Sequence, residues 1–406
     1  MMVETVFDPE ERETAFLIAD GASIERTAEW QYGGVRLRPV RATNNLVRHN
    51  AVRFPSDAAP FDTVEEILAD IDRYIAKYVS LSLEARHLAT GYVLLSWVYD
   101  AFNELPYLRF RGDYGTGKTR ALLTIGSISY KPFFASGAST VSPIFHTLDT
   151  FRGTLIFDEA DFRFSDEKAE LVKILNNGNA KGFPVLRTRM TEKREFDPQA
   201  FVVYGPKIVG MRTTYDDRAL ESRFLSIDMP AGKGSGVPIN LPGEQETDAL
   251  VIRNKLLMYR FRYRHEVTLD AKLADPAFEA RTNQILLPLL SVVPGDQMRN
   301  SIRKLAGARE TQLASERGLT PEGQVLEILH RLNTDRLPLK AIVAAFIAEY
   351  AADYQRPVTS RYIGSLLRRL GLNLYKSGGI FVLAPGQANA VAALCVRYGV
   401  SGMASG

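Results

Sequence analysis

An α/β fold built on a parallel sheet is what this 406-residue sequence predicts, and three observations predict it. A glycine-rich octapeptide, Gly112-Asp113-Tyr114-Gly115-Thr116-Gly117-Lys118-Thr119, stands between the β-prone run Tyr107-Leu108-Arg109-Phe110 and a helix-like stretch from Arg120 to Ser129. The apolar run Thr154-Leu155-Ile156-Phe157 ends in the acids Asp158 and Glu159, forty positions after Lys118. Strand-like and helix-like runs then alternate as far as Met229. That is the rhythm of βαβ units with helices on both faces of a sheet.

Taken in order, residues 1–62 form a small α+β region. Val35–Arg38 and Ala51–Phe54 alternate apolar and basic side chains, which predicts strands with one basic face. Pro55–Pro60 reads as a linker. Residues 63–104 are a helical lead-in, with one amphipathic helix from Thr63 and a more buried one over Leu83–Phe102. The α/β core covers 105–230. After the glycine loop, its helix turns Ala121, Leu122, Leu123 and Ile125 inward. Pro132–Ala135 is a short strand, and Val141–Phe151 a helix capped by Ser139 or Thr140. Asp166–Asn176 is a helix, Lys207–Met211 a strand, Arg218–Ser222 a helical turn and Phe224–Asp228 the last strand. Gly232–Gly243 is a Gly/Pro-rich break, and residues 245–309 form a helical lid. Glu310–Thr320 reads as a polar linker. Residues 321–400 change rhythm: helices over Gln324–Leu332, Leu339–Ala352 and Thr359–Leu370 precede a hairpin over Asn373–Leu383 that turns at Ser377-Gly378-Gly379. Three helices and a hairpin predict a winged helix.

Composition narrows the class. Apolar residues make up 46% and charged residues 24%, ordinary for a globular chain. The net charge of +3 excludes a polybasic chain, so any nucleic-acid footprint must be local. With Cys395 the sole cysteine and five histidines, no intrachain disulfide and no cysteine-based zinc site is expected. No secretory signal or apolar run of spanning length is evident, which points to the cytoplasm and away from a membrane.

The octapeptide carries the chemistry. It fits the phosphate-binding pattern G-x-x-x-x-G-K-[ST]. Gly112, Gly115 and Gly117 let the backbone of Asp113, Tyr114 and Thr116 turn its N–H groups inward as an anion nest. Lys118 brings a cation to the β- and γ-phosphates, Thr119 a hydroxyl to Mg²⁺, and Arg120 follows on the helix. The helix N-terminus then faces the phosphates. Asp158 would hold Mg²⁺, directly or through water, and Glu159 would orient or deprotonate the attacking water, with Asp161 the nearest other acid. ATP and Mg²⁺ are the implied cofactors. Where such sites lie between subunits of a ring, a cation must reach the neighbour's γ-phosphate. Arg223 in Ala219-Leu220-Glu221-Ser222-Arg223-Phe224 suits that role, with Arg218 second. An ion pair with Asp216, Asp217 or Glu221 is the plainer alternative for it.

Phosphate loop, acidic strand, a strand ending in polar residues and then Ala-Leu-x-Ser-Arg-Phe, in that order, resemble AAA+ ATPases over residues 63 to 300. The triplet Ser222-Arg223-Phe224 is similar to the arginine-finger motif of minichromosome-maintenance helicases. Asn176-Asn177-Gly178-Asn179 through Val185-Leu186-Arg187, then Tyr204-Gly205-Pro206-Lys207-Ile208-Val209, resemble the AAA+ domains of phage and mobile-element replication proteins. The resemblance implies a first-sensor residue after Met211. The usual Asn is absent there, which leaves Arg212, Thr213 or Thr214. It also implies a nucleotide-binding second-sensor arginine in the lid, best placed at Arg281, although an ordinary surface arginine is an equal reading. Helicase-type members carry a pore hairpin where this chain has a basic insertion with Lys181, Arg187, Arg189, Lys193 and Arg194. Such a hairpin would follow single-stranded DNA by phosphate contacts, and a solvated surface hairpin is the alternative. In the winged helix, Arg361, Arg368, Arg369 and Lys376 are placed for duplex DNA, or the domain serves protein contacts.

Together these readings predict an ATP-hydrolysing ring, a hexamer, acting on DNA as a replicative helicase or translocase of a phage or mobile element. The rivals are an ATP-gated loader or origin-binding initiator, and a DNA-binding regulator whose ATPase switches its assembly.

Overall fold

The computed structural model describes residues 1–158, 166–192, 195–215, 217–230, 236–332 and 336–400. They fall into two compact units, Met1–Ala306 and Gly307–Gly406. The first unit is built on five parallel strands, Tyr107–Arg111, Phe133–Ser136, Leu155–Asp158, Lys207–Met211 and Phe224–Asp228. Across the sheet the last strand lies beside the first, followed by the fourth, third and second. The expected α/β parallel-sheet core is therefore present.

Period-two alternation decides what each face of the sheet buries. Leu108, Phe110, Ile156, Ile208, Leu225 and Ile227 share one core with the helix Lys118–Ser127. Tyr107, Leu155, Phe157, Val209, Met211 and Phe224 share the other with the helices Val141–Phe151 and Asp166–Asn177. Both faces are covered, so the strands read as nearly unbroken apolar runs. Each such side chain contributes about 1.5–3 kcal/mol by leaving water. On the helix after the loop, Ala121, Leu122 and Ile125 are buried as expected, but Leu123 is exposed. It sits about 200° round the helix from Ala121. Leu171, Ile174 and Leu175 turn inward on theirs.

The helices expected as a separate lead-in and lid pack as one bundle. Val64–Tyr78 and Leu83–Trp97 join Glu244–Tyr263 and Ala280–Val292 in the first core. Gly91 permits the approach, since a Cβ there would lie 2.9 Å from Val293 and 3.2 Å from Leu289. The lid region is not helical throughout: between Tyr263 and Ala280 it holds only the short 3-10 turn Ala271–Leu273. Nor is Glu310–Thr320 a linker, because Asp296–Gly318 runs as one helix. Glu310, Gln312, Leu313, Ala314, Glu316 and Arg317 are good helix formers, and no proline interrupts them.

The N-terminal region is more ordered than its sequence suggests. Met2–Asp8, Glu13–Asp20 and Ser23–Thr27 pair antiparallel, and Trp30–Tyr32 pairs with Val35–Leu37. Ala51–Phe54 forms only a bridge from Val52 to Phe133. Buried Glu4 pins this sheet to the core through Lys131 and Arg260, each at 2.7 Å. Pro55–Pro60 is also fixed, with the N–H groups of Ser56 and Asp57 donating to Asn254 Oδ1.

The second unit packs Pro321–Leu332, Leu339–Tyr350 and Ser360–Arg369 around Leu326, Ile342, Phe346, Ile363 and Leu366. Thr359 caps the third helix, its side chain accepting from the N–H of Tyr362 at 3.2 Å. Leu374–Ser377 and Ile380–Leu383 form the expected hairpin. Its turn residues Gly378 and Gly379 have φ of +55° and +83°, the left-handed values a two-residue turn requires. A bridge from Pro338 to Val382 adds a third strand position. A closing helix, Ala388–Arg397, was not expected from the sequence. Among the described residues no helix is long and apolar enough to cross a membrane.

Candidate nucleotide site

Because the five strands are parallel, their C-terminal ends share one edge, the usual ligand edge of such sheets. The glycine loop leaves the strand Tyr107–Arg111 there, the second in the sheet. Gly115 and Gly117 have φ of +72° and +90°, and Gly117 is the N-cap of the helix Lys118–Ser127. A Cβ on Gly112 would lie 2.7 Å from Thr116 Oγ1. Thr116 Oγ1 in turn donates to the carbonyl of Asp113 at 2.8 Å, and Asp113 Oδ1 accepts from the N–H of Tyr114 at 2.7 Å. Lys118 Nζ donates to the carbonyls of Gly112 and Asp113, both at 2.7 Å. The ammonium is thus held at the loop by groups that a phosphate would replace.

Thr119 Oγ1 donates to Asp158 Oδ2 at 2.6 Å. The two predicted metal ligands, 39 positions apart in sequence, meet at this edge and offer hard oxygen donors of the kind Mg²⁺ takes. Gly210 on the neighbouring strand makes room for them. A Cβ there would lie 2.9 Å from Asp158 Oδ1 and 2.9 Å from Leu122 Cδ1. Arg212, one residue past its strand, hydrogen-bonds the hydroxyl of Tyr114 and lies 4.3 Å from its ring centroid. Thr213 follows Arg212 in the same loop. Arg120 turns from the loop and donates to the carbonyls of Pro238 and Ile239. Glu159, with Asp161, lies outside the described residues.

The opposite edge holds a second group of functional candidates. Arg223 precedes the last strand, and its carbonyl accepts from the N–H of Tyr107 at 2.9 Å, at the start of the strand that leads into the glycine loop. Its Nε donates to Asn179 Oδ1 at 2.9 Å, and its Nη1 to Asn176 Oδ1 and the carbonyl of Ala219, both at 2.7 Å. The turn carrying it is braced from inside. Arg109, fully buried, pairs bidentately with Glu221. Arg218, the second candidate, is exposed. Arg281 also lies at this edge, 3.9 Å from Glu104. Burial, then the nearby Arg223, lowers the pKa of its guanidinium. It therefore does not face the glycine loop of its own chain. The sheet's length intervenes, which linear position could not reveal.

The insertion is a hairpin of Val185–Met190 with Phe196–Phe201, Arg187 facing Gln199 and Arg189 facing Asp197. Arg189 is exposed, whereas Arg187 pairs with Glu170 at 3.3 Å. Lys181 sits at the root, donating to the carbonyl of Asp100 at 2.8 Å. Lys193 and Arg194 lie outside the described residues. Charge alone missed one feature: Phe183, Leu186, Met190 and Phe196 are all more than half exposed. Both roots are tied to buried Lys207, whose ammonium donates to the carbonyls of Gly178, Val203 and Gly205 at 2.8–3.1 Å. In the second unit Arg361 and Lys376 are exposed. Arg369 is 3.1 Å from Glu322, and Arg368 donates to the carbonyl of Gly364 in its own helix at 3.1 Å.

No protein family matches the chain, and no curated protein does. Solved structures do. An SCCmec type IV Cch, described as an active helicase, covers 96% of this chain and 94% of its own at 13% identity and a TM-score of 0.41. The apo C-terminal region of NrS-1 covers 95% and 97% at 12% identity and 0.38. The Aeropyrum pernix ORC1 protein in complex with DNA covers 77% and 93% at 14% identity and 0.23.

Proposed function

We propose that this chain is an AAA+ ATPase that assembles into a ring and moves on or unwinds DNA. The observation that carries the proposal is the Thr119–Asp158 hydrogen bond beside the glycine loop, with Arg223 at the opposite edge of the same sheet. One edge offers a phosphate cradle and the other a cation, so the catalytic set is completed only when a second copy docks. In this reading the loop N–H groups and Lys118 take the phosphates of ATP, and Thr119 and Asp158 hold Mg²⁺. When bound, that ion neutralises phosphate charge. Arg212, held against Tyr114, would act toward the γ-phosphate as first sensor, and Glu159 would position the water. Arg223 comes from the neighbour, and Arg281, sharing its edge, acts toward the same nucleotide. The hairpin enters the pore, where Arg187, Arg189, Lys193 and Arg194 follow phosphates and Phe196 stacks on bases.

The test is ATP turnover with and without single-stranded DNA, together with displacement of a strand from a forked duplex. Stimulated turnover with displacement, both lost in Lys118→Ala, is the expected result. Stimulation without displacement would favour the loader or initiator, a reading supported by the exposed Arg361 and Lys376 of a domain suited to duplex DNA. Absence of ATP turnover in the assembled protein would overturn the proposal.

A further inference from the structure

We infer that Asn176 and Asn179 are positioning residues for Arg223, orienting its guanidinium for the neighbouring subunit's nucleotide without neutralising it. This rests on the reading of Arg223 as the arginine supplied in trans. The guanidinium is planar, so two fixed acceptors on different nitrogens set its plane. Asn179 supplies one at Nε and Asn176 one at Nη1, with the carbonyl of Ala219 sharing Nη1. Nη2 donates to none of the described residues and is left for an acceptor from outside the chain.

Both asparagines are themselves held. Asn179 is 3% exposed, and its carbonyl accepts from the N–H of Leu105 at 2.8 Å. Asn176 Nδ2 donates to Asp217 Oδ2 at 2.8 Å. That hydrogen bond, more than any other influence, lowers the pKa of Asp217. Asp217 Oδ1 caps the helical turn of Arg223 by accepting from the N–H groups of Ala219 and Leu220. Asn176 therefore ties the helix Asp166–Asn177, which follows the acidic strand, to both the turn and the side chain it presents.

The amide matters as much as the geometry. A carboxylate at Asn179 would still accept from Arg223 Nε but would cancel the charge a developing γ-phosphate needs, and one at Asn176 would also lose the donor to Asp217 and face that carboxylate. A neutral acceptor removes rotamer freedom in advance and adds no charge of its own beside the guanidinium, while the neighbouring Asp217 carboxylate, which Arg223 also feels, is taken up by Asn176 Nδ2 and the N–H groups of the turn; this is electrostatic preorganisation. Such residues act on the transition state and not on ATP binding, so their loss should appear in kcat alone.

The experiment measures kcat, KM for ATP, melting temperature and assembly in full-length Asn176→Ala, Asn179→Ala, Asn179→Ser, Asn179→Asp and Arg223→Ala proteins. Asn176→Ala and Asn179→Ala should lower kcat on the order of 10- to 100-fold, with KM and assembly unchanged. Asn179→Ser covers the event that the buried alanine variant fails to fold. Asn179→Asp should melt no lower than the parent yet also lose turnover. A merely structural asparagine would not show that split. Parental kcat in the alanine variants, with Arg223→Ala inactive, would overturn the positioning role alone. Parental kcat in Asn179→Asp would overturn the charge argument. Parental turnover in Arg223→Ala would sink the trans reading, and the positioning role with it.

Discussion

A Cβ on Gly210 would press on both Asp158 Oδ1 and Leu122 Cδ1. Gly210 exists to leave Asp158 its space, so Gly210→Ala should lower ATP turnover on the order of tenfold. Overpacking of this kind costs about 1–3 kcal/mol, and denaturant unfolding beside a turnover assay would separate the two effects. Arg223→Ala should bind ATP but not hydrolyse it. Mixed with Lys118→Ala subunits, it should regain part of its activity, because some interfaces then pair an intact pocket with an intact arginine. No recovery in mixtures that co-assemble would count against action in trans. Glu221 is a different case. It is buried with Arg109, and removing it strands a buried charge. Glu221→Ala should cost about 3–5 kcal/mol of stability, read from chemical denaturation. Lys118, Thr119 and Asp158 were legible in the sequence because loop and strand chemistry are local. Asn176 and Asn179 were visible only as part of a family-like run, since nothing local says that an amide will meet an arginine more than forty positions away.

Among the elements, the hairpin and the strand beneath it make separable predictions. Arg187→Ala with Arg189→Ala and Lys193→Ala should weaken single-strand binding more than basal turnover. The salt dependence of binding should flatten by a slope of about 0.7 per lost phosphate contact, measured by titration across salt concentrations. An unchanged slope would make the hairpin a surface feature. Lys207 holds both roots of that hairpin, and burial lowers its pKa to about 7. An unfolded lysine titrates near ~10.4. Its favourable contribution is therefore fully present above the unfolded value and is lost as pH falls toward 7. The stability of the parent relative to Lys207→Met should rise with pH between about 7 and 10, approaching about 1.4 kcal/mol per unit. A flat difference would mean the lysine does not titrate there. Strand and helix positions in the core were legible from periodicity. Glu310–Thr320 was misread because polarity resembles a linker even where helix propensity continues.

For the whole molecule, the second unit carries the remaining DNA prediction. Arg361→Ala with Lys376→Ala in the full chain should weaken duplex binding and spare single-strand binding, as read by anisotropy with the two probes. Equal loss on both would place the duplex contact elsewhere. The sequence by itself determined the glycine loop, the acidic strand, the βα succession and the three helices with their hairpin. Each depends on neighbours in the chain: a glycine turn, a cap, an apolar period. Only the tertiary structure decided the lateral order of the five strands and the fusion of lead-in and lid into one bundle. It also decided the edge that Arg281 and Arg223 occupy. These follow from pairings between distant segments, and a parallel sheet sends everything at a strand's start to the edge opposite everything at its end. A lid arginine that the family resemblance assigns to the nucleotide is thereby held at the edge opposite the loop of its own chain, near the arginine that the asparagines hold.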